Sequence, residues 1–339
     1  MDTRGRRPGR RIVWGLVGLV LVSLFAGIVI GSATIPVRDA FASLFGLATD
    51  SVTPVHRVIV RQIRLPRVLL GLLVGSALAV SGVAMQGLFR NPLASPYVLG
   101  IASGASTGAA LAILFASGSA FFLPLGAFVG AAAAVLIVYG LARGRDRRTS
   151  IFTLILGGVA IGALFSAVTS FLIYLSSGGE KLSDVLFWIM GGLGRANWAS
   201  VATLSPIVGV GIGAVLVFAR DLNALSLGEE GAFHVGVNPD TLTRWLLCAT
   251  TLLTAAAVAM AGTIGFIGLV IPHVMRLLVG PDHRRLVPVS ALAGGCFLVW
   301  SDMVARTVLA PAELPVGVIT AFLGAPFFLY LLKTRGARL

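Results

Sequence analysis

Residues 65–87 read LPRVLLGLLVGSALAVSGVAMQG, and Arg67 is the only charged residue among them. A helix of ~20 mostly apolar residues is what crosses the ~30 Å hydrocarbon core of a bilayer. Nine further runs of the same kind fall near 12–31, 95–116, 120–142, 151–175, 199–219, 242–261, 263–279, 287–308 and 316–332. Membrane β-barrels are written as ~10-residue segments of alternating hydrophobicity, whereas these runs are long and continuous. The fold class is therefore all-α: a polytopic membrane protein of about ten transmembrane helices, read as one membrane domain over residues 1–339.

The composition agrees. Of the 339 residues 57% are hydrophobic and 12% charged, against about a quarter charged in soluble domains, and the mean hydropathy is +0.97. A soluble globule of this make-up is excluded, because it would expose too much apolar surface. Gly is abundant, at 42 residues, and pairs such as Gly71–Gly75 and Gly158–Gly162 fit close helix packing in lipid. The net charge of +13 reflects arginines in short segments between apolar runs, which suits topology and anionic headgroups better than nucleic acid. Cys248 and Cys296 stand alone in apolar runs, without metal-ligand spacing, and read as buried thiols. The apolar stretch Ile12–Ile30 is longer than a signal-peptide core and reads as a retained first helix.

Charge sets the orientation. Arg4, Arg6, Arg7, Arg10 and Arg11 precede the first run. Arg143, Arg145, Arg147 and Arg148 follow the fourth, Arg284 and Arg285 the eighth, and Lys333, Arg335 and Arg338 the tenth. With ten crossings all lie on one side, which the positive-inside rule makes cytoplasmic. Both termini are then cytoplasmic, with residues 1–11 a basic N-terminal segment. Arg38, Arg57, Arg61, Arg64 and Arg67, between runs one and two, break the rule, as does Arg306 at the outer end of run nine. Two readings stand side by side: snorkelling to headgroups, or an acidic docking partner. Asp302 is the sharpest intramembrane charge, and Arg306 four residues on shares its helical face, which makes an ion pair the first reading.

The largest cytoplasmic segment, 220–241, contains Leu222-Asn223-Ala224-Leu225-Ser226-Leu227-Gly228-Glu229-Glu230, a short helix ending in a turn, and a second turn over Ala232–Val235. With Leu222, Leu225 and Phe233 as apolar anchors, it reads as a membrane-surface loop or as a piece laid into a partner's groove. Residues 176–198, with Trp188 and Trp198, read as interfacial helix and turn. No phosphate-binding loop is present, since the only lysines, Lys181 and Lys333, do not follow Gly. His56, His234, His273 and His283 are scattered, and Pro272 beside His273 marks a packing kink or a break in run eight. No catalytic constellation, metal site or cofactor site is expected.

Several motifs occur in a telling order. Arg64-Leu65-Pro66-Arg67 opens run two, and Gly75-Ser76-Ala77-Leu78-Ala79-Val80-Ser81-Gly82, Gln86 and Arg90-Asn91-Pro92-Leu93-Ala94 follow it. Later come Gly262 to His273 with Arg276, then Asp302 and Arg306, Glu313-Leu314-Pro315-Val316-Gly317, and Gly324-Ala325-Pro326-Phe327-Phe328. From about Arg64 to the C-terminus the chain resembles the permease subunits of type II ABC importers for iron-siderophores, haem and cobalamin, the FecCD/BtuC-like family. The resemblance implies ten helices per subunit in the cell (inner or plasma) membrane, and a homodimer with a central pathway. It implies two ABC ATPase subunits on separate chains, so that this chain is not itself the enzyme, and a periplasmic or lipid-anchored substrate-binding protein. It makes Leu222, Leu225, Leu227, Gly228, Glu229, Glu230, Ala232, Phe233 and Gly236 an ATPase-coupling loop, with departures from the family at Gly231, Phe233 and His234. It makes Arg64, Arg67 and Arg306 docking residues for the binding protein, and Asn91, Pro92 and Leu93 a cytoplasmic gate. The cargo it implies is a large metal chelate: a ferric siderophore or haem first, cobalamin as the alternative. A stand-alone secondary transporter would require more ionisable residues at mid-membrane, and an intramembrane enzyme a nucleophile–base or metal constellation.

Overall fold

The computed structural model describes residues 7–47, 53–116, 121–143, 149–176 and 179–335. Arg4, Arg6, Arg145, Arg147, Arg148 and Arg338, on which part of the orientation argument rests, lie outside these residues, as do the side chains of Arg7, Arg10 and Arg335. The helices are α1 (Arg7–Val29), α2 (Val37–Phe45), α3 (Pro54–Val58), α4 (Leu65–Leu88), α5 (Ile101–Phe115), α6 (Phe122–Ala142), α7 (Ile151–Leu175), α8 (Glu180–Met190), α9 (Trp198–Val217), α10 (Ala219–Leu225), α11 (Glu229–His234), α12 (Pro239–Ala261), α13 (Ile267–Val279), α14 (His283–Ala305) and α15 (Val316–Arg335). A π-helical turn, Ile59–Arg64, joins α3 to α4 without a break, and a 3-10 turn, Pro96–Leu99, precedes α5.

An apolar helix stands at each of the ten expected places. Seven are long and apolar enough to cross a membrane, while α5, α13 and α15 are shorter apolar helices. Run eight differs from its expected shape. Its helix begins only at Ile267 and continues through Pro272, so the break lies before it, over Gly262–Phe266, and not at the proline. At ~1.5 Å per residue, α13 spans about 20 Å and is too short to cross alone. Its irregular approach is tied down inside the protein. The Tyr97 hydroxyl donates to the Ile264 carbonyl at 2.9 Å, and the Thr263 hydroxyl donates to the Ile189 carbonyl. Non-helical backbone is tolerated at membrane depth where protein satisfies it.

The core is built on α4, whose apolar stretch is largely buried against α12, α13, α9 and, antiparallel to it, α14. Close approach requires small residues. A Cβ on Gly75 would collide with the Gly294 carbonyl, and one on Gly82 with the Gly268 carbonyl. On the periphery, α5 packs on α6 and α7. Helix α7 buries little: Phe152, Leu156, Val159, Leu164, Phe171 and Tyr174 are exposed. An exposed apolar belt of this kind is stable only against lipid or another apolar surface.

Candidate functional site

Chain direction sorts the polar groups into two ends. The start of α4, the ends of α1 and α14 and the loop before α15 share one end, with Arg64, Arg67, Asp302, Arg306 and Glu313. The end of α4, the start of α14 and the α10–α11 segment share the other, with Arg90.

At the first end three arginines are deeply buried: Arg64 is 3%, Arg67 6% and Arg306 3% exposed. Arg67 uses its Nε/Nη2 edge to grip Asp302, at 3.0 Å from Nε to Oδ2 and 2.8 Å from Nη2 to Oδ1. Its Nη1 donates to Glu313 at 2.9 and 3.0 Å. Arg306 reaches Asp302 at 3.5 Å, the i,i+4 pair the sequence indicates, and its Nη2 donates to the Gly27 carbonyl at 2.7 Å. Arg64 donates to the carbonyls of Ile28 (2.9 Å), Val29 (2.7 Å) and Ala33. The carbonyls at the last turn of a helix have no intrahelical partner, so Arg64 and Arg306 close the end of α1.

These contacts correct the picture of Arg64, Arg67 and Arg306 as cations free at a rim. Arg67 and Arg306 share the buried Asp302, Glu313 adds a half-exposed second carboxylate to Arg67, and Arg64 rests on backbone carbonyls. Among the described residues, the cations exposed at this end are instead Arg38, Arg57, Lys181 and Arg195, of which Lys181 donates to the Leu114 carbonyl at 2.9 Å and Arg195 pairs with Asp184 at 3.1 Å. The segment between runs one and two contains α2, whose Phe41 and Phe45 are exposed. In the 176–198 segment, α8 buries Trp188, and the Trp198 indole donates to the Arg61 carbonyl at 3.0 Å.

At the second end, residues 219–234 form two short helices hinged at Gly228, which has φ 102°. Helix α10 turns Leu222 and Leu225 inward, 0% and 2% exposed, and Ala232 of α11 is buried too. Leu222 packs against Gly87, where a Cβ would lie 2.9 Å from Leu222 Cδ2. Leu222 and Leu225 therefore belong to the chain's own core, a correction to their expected role as anchors for another protein. Leu227 (71%), Phe233 (67%) and Val235 (62%) are the apolar side chains the segment leaves exposed. Glu229 and Glu230 are exposed beside them, and all but Leu227 and Val235 line a cleft of about 520 Å³ that also includes Asp240. Gly236, at φ 86°, closes the segment.

The turn after α4 lies next to it. Arg90 takes a left-handed φ of 50°, while the amides of Arg90 and Asn91 return to the carbonyls of Gly87 and Gln86, a helix-ending pattern that usually favours glycine. The Asn91 carboxamide accepts from the Leu93 amide at 2.8 Å. Asn91 is exposed, and Pro92 and Leu93 are half-buried.

Asp282 fastens the start of α14 to α10. It accepts from Asn223 Nδ2 at 2.7 Å, while Asn223 Oδ1 accepts from the His283 amide at 2.9 Å. Burial pushes the Asp282 carboxyl up, but the hydrogen bonds from Asn223 and the Arg284 amide, with the charges of Arg284 and Arg285, outweigh it and hold it below the usual aspartate range. The sequence reading passed over Asn223 and Asp282. The signal for Asp282 is its place immediately before the first turn of α14, a helix-capping position.

The chain matches the FecCD transport family over residues 19–334. It is 49% identical to the cobalamin import system permease protein BtuC of Halobacterium salinarum over 83% of this chain and 75% of that one. It is 42% identical to the hemin transport system permease protein HmuU of Yersinia pestis, over 95% of each. Among solved structures, one described as an inward-facing conformation of a metal-chelate type ABC transporter superposes with a TM-score of 0.84. That chain is 34% identical, with 96% of this chain and 99% of that one covered.

Proposed function

This chain belongs to the FecCD transport family, and from that membership we propose that it is the permease subunit of a binding-protein-dependent ABC importer for a large metal chelate. The observation that carries the reading is the α10–α11 segment. Two short helices hold a rigid scaffold through Leu222, Leu225 and Ala232, and present Leu227, Phe233 and Val235 outward. Exposed apolar side chains on a short helix pair, with acidic groups beside them, suit insertion into a groove of another protein. The sequence holds no phosphate-binding loop of its own, so the partner in that groove is an ABC ATPase subunit, one for each of two copies of this chain.

The Arg90 end is then cytoplasmic, with residues 1–11, 220–241 and both termini on that side. The Asn91–Leu93 turn is the cytoplasmic gate. The exposed faces of α7 and α15 meet their counterparts in a second copy, and the pathway runs between them. The substrate-binding protein docks at the opposite end. Its electrostatic contact is made by the exposed Arg38 and Arg57, while Arg64, Arg67 and Arg306 hold the shape of that surface. The relatives' names, which include cobalamin, hemin and Fe(3+)-citrate import, support a metal chelate as cargo, and we place haem or a ferric siderophore and cobalamin as the candidates to test.

The test is reconstitution of the chain with its ATPase in liposomes, followed by uptake of labelled cobalamin, hemin and a ferric siderophore. The reading expects uptake of one of them that requires ATP, the ATPase and the binding protein together. Uptake driven by an ion gradient without the ATPase would overturn it in favour of a secondary transporter.

A further inference from the structure

A groove of about 240 Å³ lies between α6 and α12. Its α6 wall runs from Phe128 to Tyr139 and its α12 wall from Arg244 to Leu252. On each helix the lining positions recur at spacings of three and four, so each wall is one helical face. Ala132 stands midway along the α6 wall, and its short side chain leaves the space. Helix α4 ends at the Arg90 end, so α5 leaves that end, α6 returns to it and α12 starts from it. Tyr139 and Arg244 therefore stand together at the Arg90 end of the groove. At ~1.5 Å per residue the walls are about 12–16 Å long, close to the ~15 Å of hydrocarbon in one leaflet of a bilayer.

Arg244 is the one charged residue among those lining the groove. It is exposed and makes no ion pair among the described residues. The carboxylate one turn before it, Asp240, accepts from the Thr149 amide at 2.9 Å. The next residue, Trp245, is 55% exposed, and an outward Trp beside an Arg marks the headgroup level of a membrane helix. Arg143, exposed at the end of α6, is a second cation at this end. Cys248, which the sequence indicates as a buried thiol, is exposed in the groove. The dimer reading uses the faces of α7 and α15 and the ATPase reading uses α10 and α11, so neither covers this groove.

The shape and the charge together select an occupant. A helix with its side chains is about 10–12 Å across, too wide for a groove of this volume, whereas an extended acyl chain fits one. An Arg at a membrane surface lays its aliphatic stem along apolar wall and carries the guanidinium to the headgroups, where a phosphate is its preferred partner. We propose that the α6–α12 groove seats one acyl chain of an anionic phospholipid, with Arg244 holding the headgroup phosphate and Arg143 adding charge beside it. The inference needs a membrane-embedded chain and this groove. It depends neither on the transported cargo nor on which leaflet faces the Arg90 end.

The experiment is native mass spectrometry of the delipidated full-length chain in non-ionic detergent, titrated with phosphatidylglycerol and with phosphatidylcholine of identical acyl chains. A saturable first phosphatidylglycerol adduct is expected, with phosphatidylcholine weaker by about fivefold or more, and Arg244→Gln is expected to remove that preference. Arg285→Gln, which deletes an equal charge from an exposed position at the same end outside the groove, is expected to leave the preference intact. Ala132→Leu fills the groove without touching a charge, and is expected to weaken binding of both lipids. Glycerol 3-phosphate, a headgroup without chains, is expected not to compete. Equal binding of the two lipids, equal effects of Arg244→Gln and Arg285→Gln, or unchanged binding by a folded Ala132→Leu protein overturns the proposal. If Ala132→Leu does not fold, competition by glycerol 3-phosphate overturns the seating of the chain, and its failure to compete supports it.

Discussion

Arg67 and Asp302, 235 residues apart in sequence, meet side-on inside the bundle, with Nη2–Oδ1 at 2.8 Å. This contact ties the start of α4 to the end of α14, the central antiparallel pair of the fold. Removing one partner of a buried pair leaves the other charge stranded and costs about 3–5 kcal/mol, whereas replacing both by apolar groups can be close to neutral. Here the neighbourhood adds Glu313 and Arg306, so the double replacement is not fully neutral. Arg67→Leu and Asp302→Leu are each expected to lower the melting temperature of the detergent-solubilised protein sharply, and the double variant by less than the sum. Strictly additive losses would show that the pair is not coupled. The same burial means that Arg64→Glu with Arg67→Glu reduces the yield of folded protein before any docking is measured. Arg38→Glu with Arg57→Glu is the folded probe of binding-protein docking, and its effect is expected to fade as salt rises, because the Debye length is ~8 Å at physiological ionic strength.

Gly82 meets Gly268 with backbone against backbone, so a methyl group there collides with a carbonyl that has no flexible end to move. Gly82→Ala is expected to depress the amount of folded protein on size-exclusion chromatography. Gly192→Ala, where nothing lies within 4 Å, is expected to leave it unchanged. Equal behaviour of the two would remove the close approach of α4 and α13 as a determinant of the fold.

The Asn91–Leu93 turn gives a test of the gate. A cysteine in place of Leu93 is expected to crosslink to its counterpart in a second copy in a nucleotide-dependent manner, once the ATPase is bound. Crosslinking absent in every nucleotide state counts against a gate at this turn.

Asp282 makes the joint between α10 and α14 sensitive to acid. Its carboxyl is held below the usual aspartate range, with the Asn223 hydrogen bond the chief favourable cause, acting against burial. A depressed folded value means that the unfolded chain binds the proton first as pH falls. The stabilisation is therefore fully present above the ordinary aspartate value of 3.8 and is lost as pH falls through the lower folded value. Asp282→Asn is expected to flatten the fall in melting temperature below about pH 4. An unchanged acid limb in the variant would assign that fall to other carboxylates.

Much of this was legible in the chain itself. The run at 65–87 identifies a membrane helix by length and lack of charge, and the same reading places all ten apolar helices. Asp302 and Arg306 are paired in the sequence by their spacing of four. What spacing does not reveal is a partner on another helix, and Arg67 became visible as the main ligand of Asp302 only when α4 and α14 were laid side by side. The break at Gly262–Phe266 was hidden for a related reason. Its residues are apolar enough to continue a helix, and the irregular path is set by hydrogen bonds from Tyr97 and to Ile189. In α10 the helix is too short for its apolar period to say which face looks inward, so Leu222 and Leu225 read as anchors when their neighbours α4 and α14 claim them.

That inward turn separates two classes of variant in the same short segment. Leu225 is 2% exposed, so Leu225→Asp buries a carboxylate without a partner and is expected to cost stability whether or not an ATPase is present. Leu227 and Phe233 are 71% and 67% exposed, so Leu227→Asp with Phe233→Asp is expected to leave the melting temperature of the isolated chain within about a degree or two, as surface changes usually do. If the two side chains enter a groove on the ATPase, the same double variant loses copurification with it, since apolar anchors at the centre of an interface carry much of the binding energy. The two readouts, melting of the chain alone and retention of the ATPase on an affinity column, must therefore diverge for Leu227 and Phe233 and fall together for Leu225. Retention of the ATPase by the Leu227/Phe233 double variant, with transport at the original rate, would remove this segment from the coupling path.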